Sequence, residues 1–397
     1  MTPESSPFSP GQPVPIEFFV GRLPEIERLR GMVHASTRGR FKIGFVSGER
    51  GIGKSSLAAF ARRSVEGDFD VAGCHVFLGG VQDHREMLRR TLDRILNESV
   101  DKPWHRQLMD LFGDRVSKVG LFGVTLELNL DERDLVAVER DFAASMRRLL
   151  ESLGEHRKSL FLILDDINGL AGSEGFANWL KSTVDEIATS EAELRLCILV
   201  VGLQERRREL VERQPSLARV FELIDIAPWS DDEVCTFYAD SFGAGGAAVS
   251  EEGLEILVRS TGGLPVLAHE IGDAVWRTAR GPAISLVETV EGIYTAAEVI
   301  GRKLLDPQVF SAIRSERYHS IFGKMADLPG TRFGRAQLRE SLTDAEAKGL
   351  DNFLRRMTAL GALERDPETR GTYRFPNLLH ALYFRMESQR RRREEGA

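Results

Sequence analysis

The stretch FKIGFVSGERGIGKSSLAAFARR, residues 41–63, passes from a β-rich apolar run through a glycine-rich turn into a helix-forming segment. Gly48, Gly53, Lys54 and Ser55 stand in the spacing G-x-x-x-x-G-K-[ST], with Gly51 inside the loop. The spacing has a mechanism. Glycines let successive backbone N–H groups curl around a phosphate, and a helix beginning at Lys54 adds the positive end of its dipole. Gly48, Glu49, Arg50, Gly51, Ile52, Gly53, Lys54, Ser55 and Ser56 therefore read as a loop that cradles the phosphates of ATP. Lys54 is expected to reach the terminal phosphates and Ser55 to bind Mg2+.

A magnesium nucleotide site needs an acid from a second strand, and LFLILDDINGL, residues 160–170, supplies it: five apolar residues, then two adjacent aspartates. Asp165 reads as the second contributor to the magnesium shell. Two roles are open to Asp166: polarising the water that attacks the terminal phosphate, or capping the turn into Ile167 and Asn168.

Apolar runs at 42–47, 74–78, 160–164, 196–201 and 222–226 read as strands, with helical patterns between them. That order predicts an α/β fold built on a parallel sheet, the three-layer sandwich of a P-loop NTPase. Residues 119–130, VGLFGVTLELNL, alternate and predict an extra hairpin or strand insertion at the sheet edge.

Composition bounds the class. The 397 residues are 42% hydrophobic and 28% charged, ordinary for a globular chain of two or three domains. No apolar run approaches the roughly 18 residues of a membrane span, and the opening MTPESSPFSPGQPVP lacks the basic and apolar regions of a signal peptide. A cytoplasmic protein with a disordered tail at 1–17 and no membrane partner is expected. Cys74, Cys197 and Cys235 have neither disulfide nor zinc spacing and read as buried apolar residues. The formal net charge of -7 is unevenly spread: from residue 301 onward there are 19 Lys/Arg against 13 Asp/Glu. A basic C-terminal domain on an acidic body raises nucleic acid as a partner, although Arg390 to Arg393 supply much of the excess.

In that domain, residues 317–388 read as three helices and a hairpin, the order of a winged helix. Leu350, Phe353, Leu354, Met357 and Leu360 form one buried helical face, with Lys348, Arg355 and Arg356 off it and Arg370 and Arg374 on the wing. Such a domain either binds duplex DNA or packs as a structural switch.

The chain resembles AAA+ ATPases of the origin-recognition and archaeal-ATPase type and their STAND (NB-ARC-like) relatives. FFVGRLPEIERLRGMV, residues 18–33, is similar to the box before the phosphate loop in that family, which implies that Gly21 and Arg22 pack near the adenine. LRLCILVVGLQERRREL is similar to the strand carrying a sensor, which the resemblance places at Gln204 or its neighbours at the strand tip. PSLARVFELIDIAPW puts Arg219 near the position of an arginine finger reaching a neighbouring subunit; pairing with Glu222 is the alternative. In STGGLPVLAHE the G-L-P pattern of the STAND relatives implies that Pro265 packs on the nucleotide, and no lid arginine occupies the turn. Buried packing is the expectation for His269.

The resulting layout is a tail at 1–17, a nucleotide domain at 18–227, a helical lid at 228–305, a winged helix at 306–388 and a basic tail at 389–397. Its function is expected to be slow ATP hydrolysis coupled to DNA binding or assembly, with Asp166, Lys54, Gln204 and Arg219 as the catalytic set. The alternative is a signalling switch whose ATP-dependent output is association with itself or with a partner protein.

Overall fold

The structure is a computed structural model that describes residues 6–11, 21–119, 125–367 and 369–395. It forms two compact units, Gly21–Ala227 and Pro228–Ala397, the second including the N-terminal segment.

The first unit begins with α1 (Leu23–Thr37), β1 (Lys42–Ser47), α2 (Lys54–Asp68), β2 (Val71–Phe77) and α3 (His84–Glu98). Next come α4 (His105–Phe112), β3 (Val116–Val119), β4 (Thr125–Leu128), α5 (Glu132–Arg140) and α6 (Phe142–Leu153). The unit closes with β5 (Ser159–Asp165), α7 (Glu174–Thr189), β6 (Leu196–Gly202), α8 (Gln204–Arg213), α9 (Leu217–Val220) and β7 (Glu222–Asp225). Five of these strands form one parallel sheet in the order β2-β5-β6-β1-β7. Every residue of β5 and β6 is buried, because helices cover both faces of a parallel sheet; this is why their sequences are continuous apolar runs rather than alternating ones. The order puts β6 between β1 and β5. The tip of β6 therefore separates the loop after β1 from the aspartates after β5.

The expected hairpin forms, but not at the edge of this sheet. β3 and β4 pair with each other alone and dock on α3. Asn97 donates to Leu126 O at 2.6 Å and accepts from Leu126 N–H at 2.9 Å, and Asp93 accepts from Leu128 N–H at 2.7 Å. Two side chains one helical turn apart thus satisfy the open edge of β4, which would otherwise need another strand. Residues 120–124 of the expected segment lie outside the described residues.

The second unit starts with α10 (Asp231–Ala244), β8 (Ala248–Val249), α11 (Glu251–Thr261), α12 (Pro265–Thr278), β9 (Ala283–Ile284) and α13 (Leu286–Ile300). Reciprocal capping boxes, Ser230 with Glu233 and Ser285 with Glu288, set the starts of α10 and α13. A π-turn (Gly301–Leu305) leads through α14 (Asp306–Gln308) to α15 (Glu316–Ala326), β10 (Arg332–Gly334), α16 (Arg335–Glu340), α17 (Asp344–Ala347) and α18 (Leu350–Ala359). The chain ends with β11 (Glu364–Arg365), β12 (Thr372–Arg374) and α19 (Leu378–Glu395). Leu350, Phe353, Leu354 and Met357 bury the predicted face of α18. β10, between the first two helices, adds a third strand to the expected hairpin, giving the antiparallel order β10-β12-β11.

Both terminal expectations need correction. Residues 6–11 are not a free tail: Phe8, only 4% exposed, fills an aromatic pocket against Phe237, Tyr238 and Phe242. Gly272 forms the floor, since a Cβ there would stand 2.4 Å from the Phe8 ring. One aromatic side chain buried this way contributes roughly 2–3 kcal/mol, enough to order a short polar segment around it. The arginines at 390–393 are likewise not a frayed tail, because α19 runs through them. Arg391 donates to Glu387 at 2.8 Å and lies over the Phe310 ring, Arg390 pairs with Glu387 at 2.7 Å, and Arg392 pairs with Asp327. Arg390, Arg391 and Arg392 are therefore engaged within the fold.

Candidate functional site

The loop between β1 and α2 is shaped by its glycines. Gly51 and Gly53 have φ of 80° and 95°, a conformation other residues adopt only under strain. At Gly48 the space itself is the constraint, since a Cβ would stand 3.0 Å from Ile226 O and from the Ile52 side chain. Ile52, 1% exposed, pins the loop to the core, while Glu49 and Arg50 face solvent. Gly53 occupies the N-cap of α2 without any side chain to satisfy the first N–H groups, so Lys54, Ser55 and Ser56 begin a helix whose amino end is open to an anion.

Lys54 is half-buried, and its Nζ donates only to backbone carbonyls, Gly48 O at 3.0 Å and Glu49 O at 2.6 Å. Burial lowers its pKa, opposed by the fields of Asp165 and Asp166. The fold thus brings the phosphate-loop lysine into the field of both aspartates without an ion pair that would neutralise it.

Asp165 ends β5, 2% exposed, and its Oδ2 lies 2.9 Å from His75 Nε2 on the neighbouring β2. His75 is itself buried and stacks on Phe77 with ring centroids 4.4 Å apart. Sequence reasoning missed His75: nothing in the local pattern reveals that β2 lies beside β5 with His75 facing the carboxylate. Asp166 is exposed and left-handed, with φ 60° and ψ 56°. It occupies the N-cap position of the short turn Ile167–Gly169 yet makes no side-chain capping bond. Its Oδ1 instead accepts a hydrogen bond from Asn168 Nδ2.

The other predicted residues divide. Gly21 and Arg22 form a doubly left-handed turn, φ 72° and 64°, that leads into α1; Arg22 is buried and lies 3.9 Å from Glu25. Gln204 is the exposed first residue of α8. Arg219 is exposed on α9 and forms no ion pair with the described residues; Glu222 pairs instead with Lys42 at 3.8 Å. Pro265 is the buried first residue of α12 in the other unit, after Gly262 and Gly263, both left-handed. A Cβ on Gly263 would meet Trp229 O at 2.4 Å, so that turn requires glycine. His269 is packed as expected, accepting from Ser9 N–H at 3.2 Å, and burial pushes its pKa down to about 4.

The residues fit Mg2+ carried by a nucleotide. Among the described residues no group of three or more His, Cys, Asp or Glu side chains could enclose a metal. Ser55 and Asp165 could offer oxygen ligands from two elements, the partial set suited to an ion whose remaining ligands are phosphate and water.

A glycine-shaped loop on the carboxyl end of a parallel strand, with two acids across the next strand but one, defines a P-loop NTPase. Residues 19–199 match the family model described as an AAA ATPase domain. No curated protein matches the chain. Among solved structures, a Walker-type ATPase of Pyrococcus abyssi aligns over 93% of this chain and 97% of its own, with 18% identity and a TM-score of 0.56. The ORC2 protein of Aeropyrum pernix, solved in ADPNP-ADP complexes, aligns over 95% and 96%, with 14% identity and a TM-score of 0.60. Cdc6p of Pyrobaculum aerophilum aligns over 98% of both chains, with 15% identity and a TM-score of 0.50. Residues 19–199 thus resemble an AAA ATPase domain, and the chain has the fold of the origin-recognition type of AAA+ protein. Among the described residues no helix is long and apolar enough to cross a membrane.

Proposed function

We propose that the chain hydrolyses ATP slowly and that nucleotide state governs duplex-DNA binding through a winged helix formed by α15 to β12. The observation that carries the first part is Lys54, held by carbonyls alone in the field of Asp165 and Asp166. In this reading Lys54 and the loop N–H groups hold the β- and γ-phosphates, and Ser55 and Asp165 hold Mg2+, which neutralises phosphate charge. Water oxygen bonds to the γ-phosphorus, the bond to the bridging oxygen breaks with its electrons leaving on ADP, and Asp166 accepts the water proton. Slowness follows from an aspartate where a longer glutamate would reach further. Gln204 and Arg219 are proposed as a sensor and as a finger acting on a second copy; the exposure of Arg219 without an ion pair supports the latter.

For DNA, the supporting feature is a cleft of about 850 Å³ lined by Arg314, Tyr318, Asn352, Arg355 and Arg356, none of whose three arginines forms an ion pair with the described residues. Arg374, expected on the wing, is paired with Glu364 at 2.8 Å, so this cleft is the better phosphate-binding surface. Phosphate release and duplex mobility shifts with ATP at 50 and 200 mM salt test the reading. Binding should weaken steeply with salt, and Arg355→Glu with Arg356→Glu should reduce it at least about tenfold, as expected for lost phosphate contacts. No duplex binding at the lower salt, with an ATP-dependent change in particle size, would favour the protein-association switch instead.

A further inference from the structure

We propose that Asn168 is the positioning residue for Asp166, tying the water-polarising acid to the tip of β6. The inference rests on the ATPase reading above and concerns how its acid is held.

Asp166 needs holding. Apart from Arg22, it is the one described non-glycine residue with positive φ, a conformation that persists only where surrounding contacts enforce it. Its side chain turns toward the loop after β2, where a Cβ on Gly79 would lie 3.1 Å from Asp166 Oδ2. The opposite oxygen, Oδ1, accepts from Asn168 Nδ2. Asn168 Oδ1 in turn accepts the Leu203 N–H at 3.2 Å. These partners fix the amide's orientation without ambiguity, because a backbone N–H can only donate and a carboxylate can only accept.

The topology makes that second bond informative. β6 lies between the strand that carries the phosphate loop and the strand that carries the aspartates. From Leu196 to Leu203 this segment presents no polar side chain except Cys197, which is buried in the sheet. Gln204, the first polar residue beyond the tip, is exposed on α8. Asn168 reaches this tip from the neighbouring turn through the Leu203 amide, just ahead of the Gln204 proposed as sensor. The chemistry of the brace also suits the task. A lysine or arginine at this place would draw the carboxylate into an ion pair and lower its basicity. A neutral amide orients one oxygen and leaves the other able to take a proton from water.

The test measures fluorescent ATP-analogue affinity, phosphate release and hydrogen exchange at the Leu203 amide in the full chain. Asn168→Ala removes both bonds. Asn168→Asp keeps an acceptor for Leu203 N–H but cannot donate to Asp166, so it separates the brace from the turn it stabilises. Both variants should bind the analogue within about twofold of wild type and lose at least about tenfold in kcat with KM little changed, the pattern of an interaction that acts after binding. Leu203 should exchange faster in Asn168→Ala only. Combined with Asp166→Asn, neither variant should slow turnover beyond Asp166→Asn alone, since both act through one carboxylate. Turnover within twofold of wild type in Asn168→Asp, or a multiplicative fall in the double variants, overturns the proposal while the loss in Asp166→Asn leaves the ATPase reading standing. A wild-type chain that binds the analogue without any turnover overturns both.

Discussion

Charge is held in two different ways in this molecule. At the carboxyl edge of the parallel sheet no Lys or Arg pairs with either site aspartate among the described residues: Lys54 has backbone carbonyls, Asp165 has the His75 ring, and Asp166 has an amide. In the C-terminal region acids and bases pair directly. Arg335 binds Asp351 at 2.7 Å, Arg374 binds Glu364, Arg392 binds Asp327, and Glu346, buried beneath α15, accepts from Lys324 and Ser320 at 2.6 Å each. A charge held by a dipole stays available to a ligand of opposite sign. One already paired is structural, and on the surface such pairs contribute little, about 0–1 kcal/mol each. The arginine-rich C-terminus therefore says less about partners than its count suggests, and the modest Lys54–Asp165–Asp166 constellation says more.

The contrast can be tested from its strongest consequence downward. Lys54→Ala removes the cation held for the phosphates, and ATP-analogue affinity should fall at least about a hundredfold by fluorescence titration, the scale of a lost charge-assisted contact. The melting temperature should hardly move; a large drop would mean that Lys54 is structural after all. Next, Asp166→Asn should keep analogue affinity within about twofold and reduce phosphate release by about 10²–10⁴, the range for loss of general-base assistance. Equal turnover would leave Asp166 a turn residue.

A different result is expected in the helical unit, where stability rather than chemistry is at stake. Phe8→Ala empties the aromatic pocket over Gly272 and should cost about 2–4 kcal/mol, below the upper range for buried aromatics because the segment is near a chain end. Chemical denaturation monitored at Trp276 and Trp229 reads that loss, and wild-type stability would show that the pocket closes without its plug. Smallest of all, Arg392→Ala should change stability by less than about 1 kcal/mol and leave duplex binding unaltered, as for an exposed ion pair. A clear loss of DNA affinity in that variant would return the C-terminal arginines to the binding surface.

Much of the nucleotide unit was legible in residue order, for reasons that are local. The phosphate loop needs glycine at Gly51 and Gly53 because the backbone there is left-handed, and a lysine at the first turn of α2 suits an anion drawn to the positive end of the helix dipole. All five predicted strands of the sheet form within three residues of their expected ends, because strands buried on two faces are apolar throughout and turn residues bound them sharply. The buried face of α18 was readable by the same logic at a period of 3.6.

What the chain order concealed depends on distant pairing. Phe8 looked like part of a polar tail until α10 and α12 provided a pocket, and Arg390 to Arg392 looked like free charge until Glu387 and Asp327 were placed beside them. The hairpin was visible, but its docking was not, since Asn97 and Asp93 carry no sign of which backbone they will satisfy. The same holds within the site. That a glycine-shaped loop leads into a helix opening with Lys54 and Ser55 was determined by sequence alone, because backbone conformation and helix start are properties of adjacent residues. That His75 faces Asp165, and that Asn168 spans from Asp166 to Leu203, was decided only by the strand order β2-β5-β6. Sheet order rests on long-range packing, and no local pattern carries it.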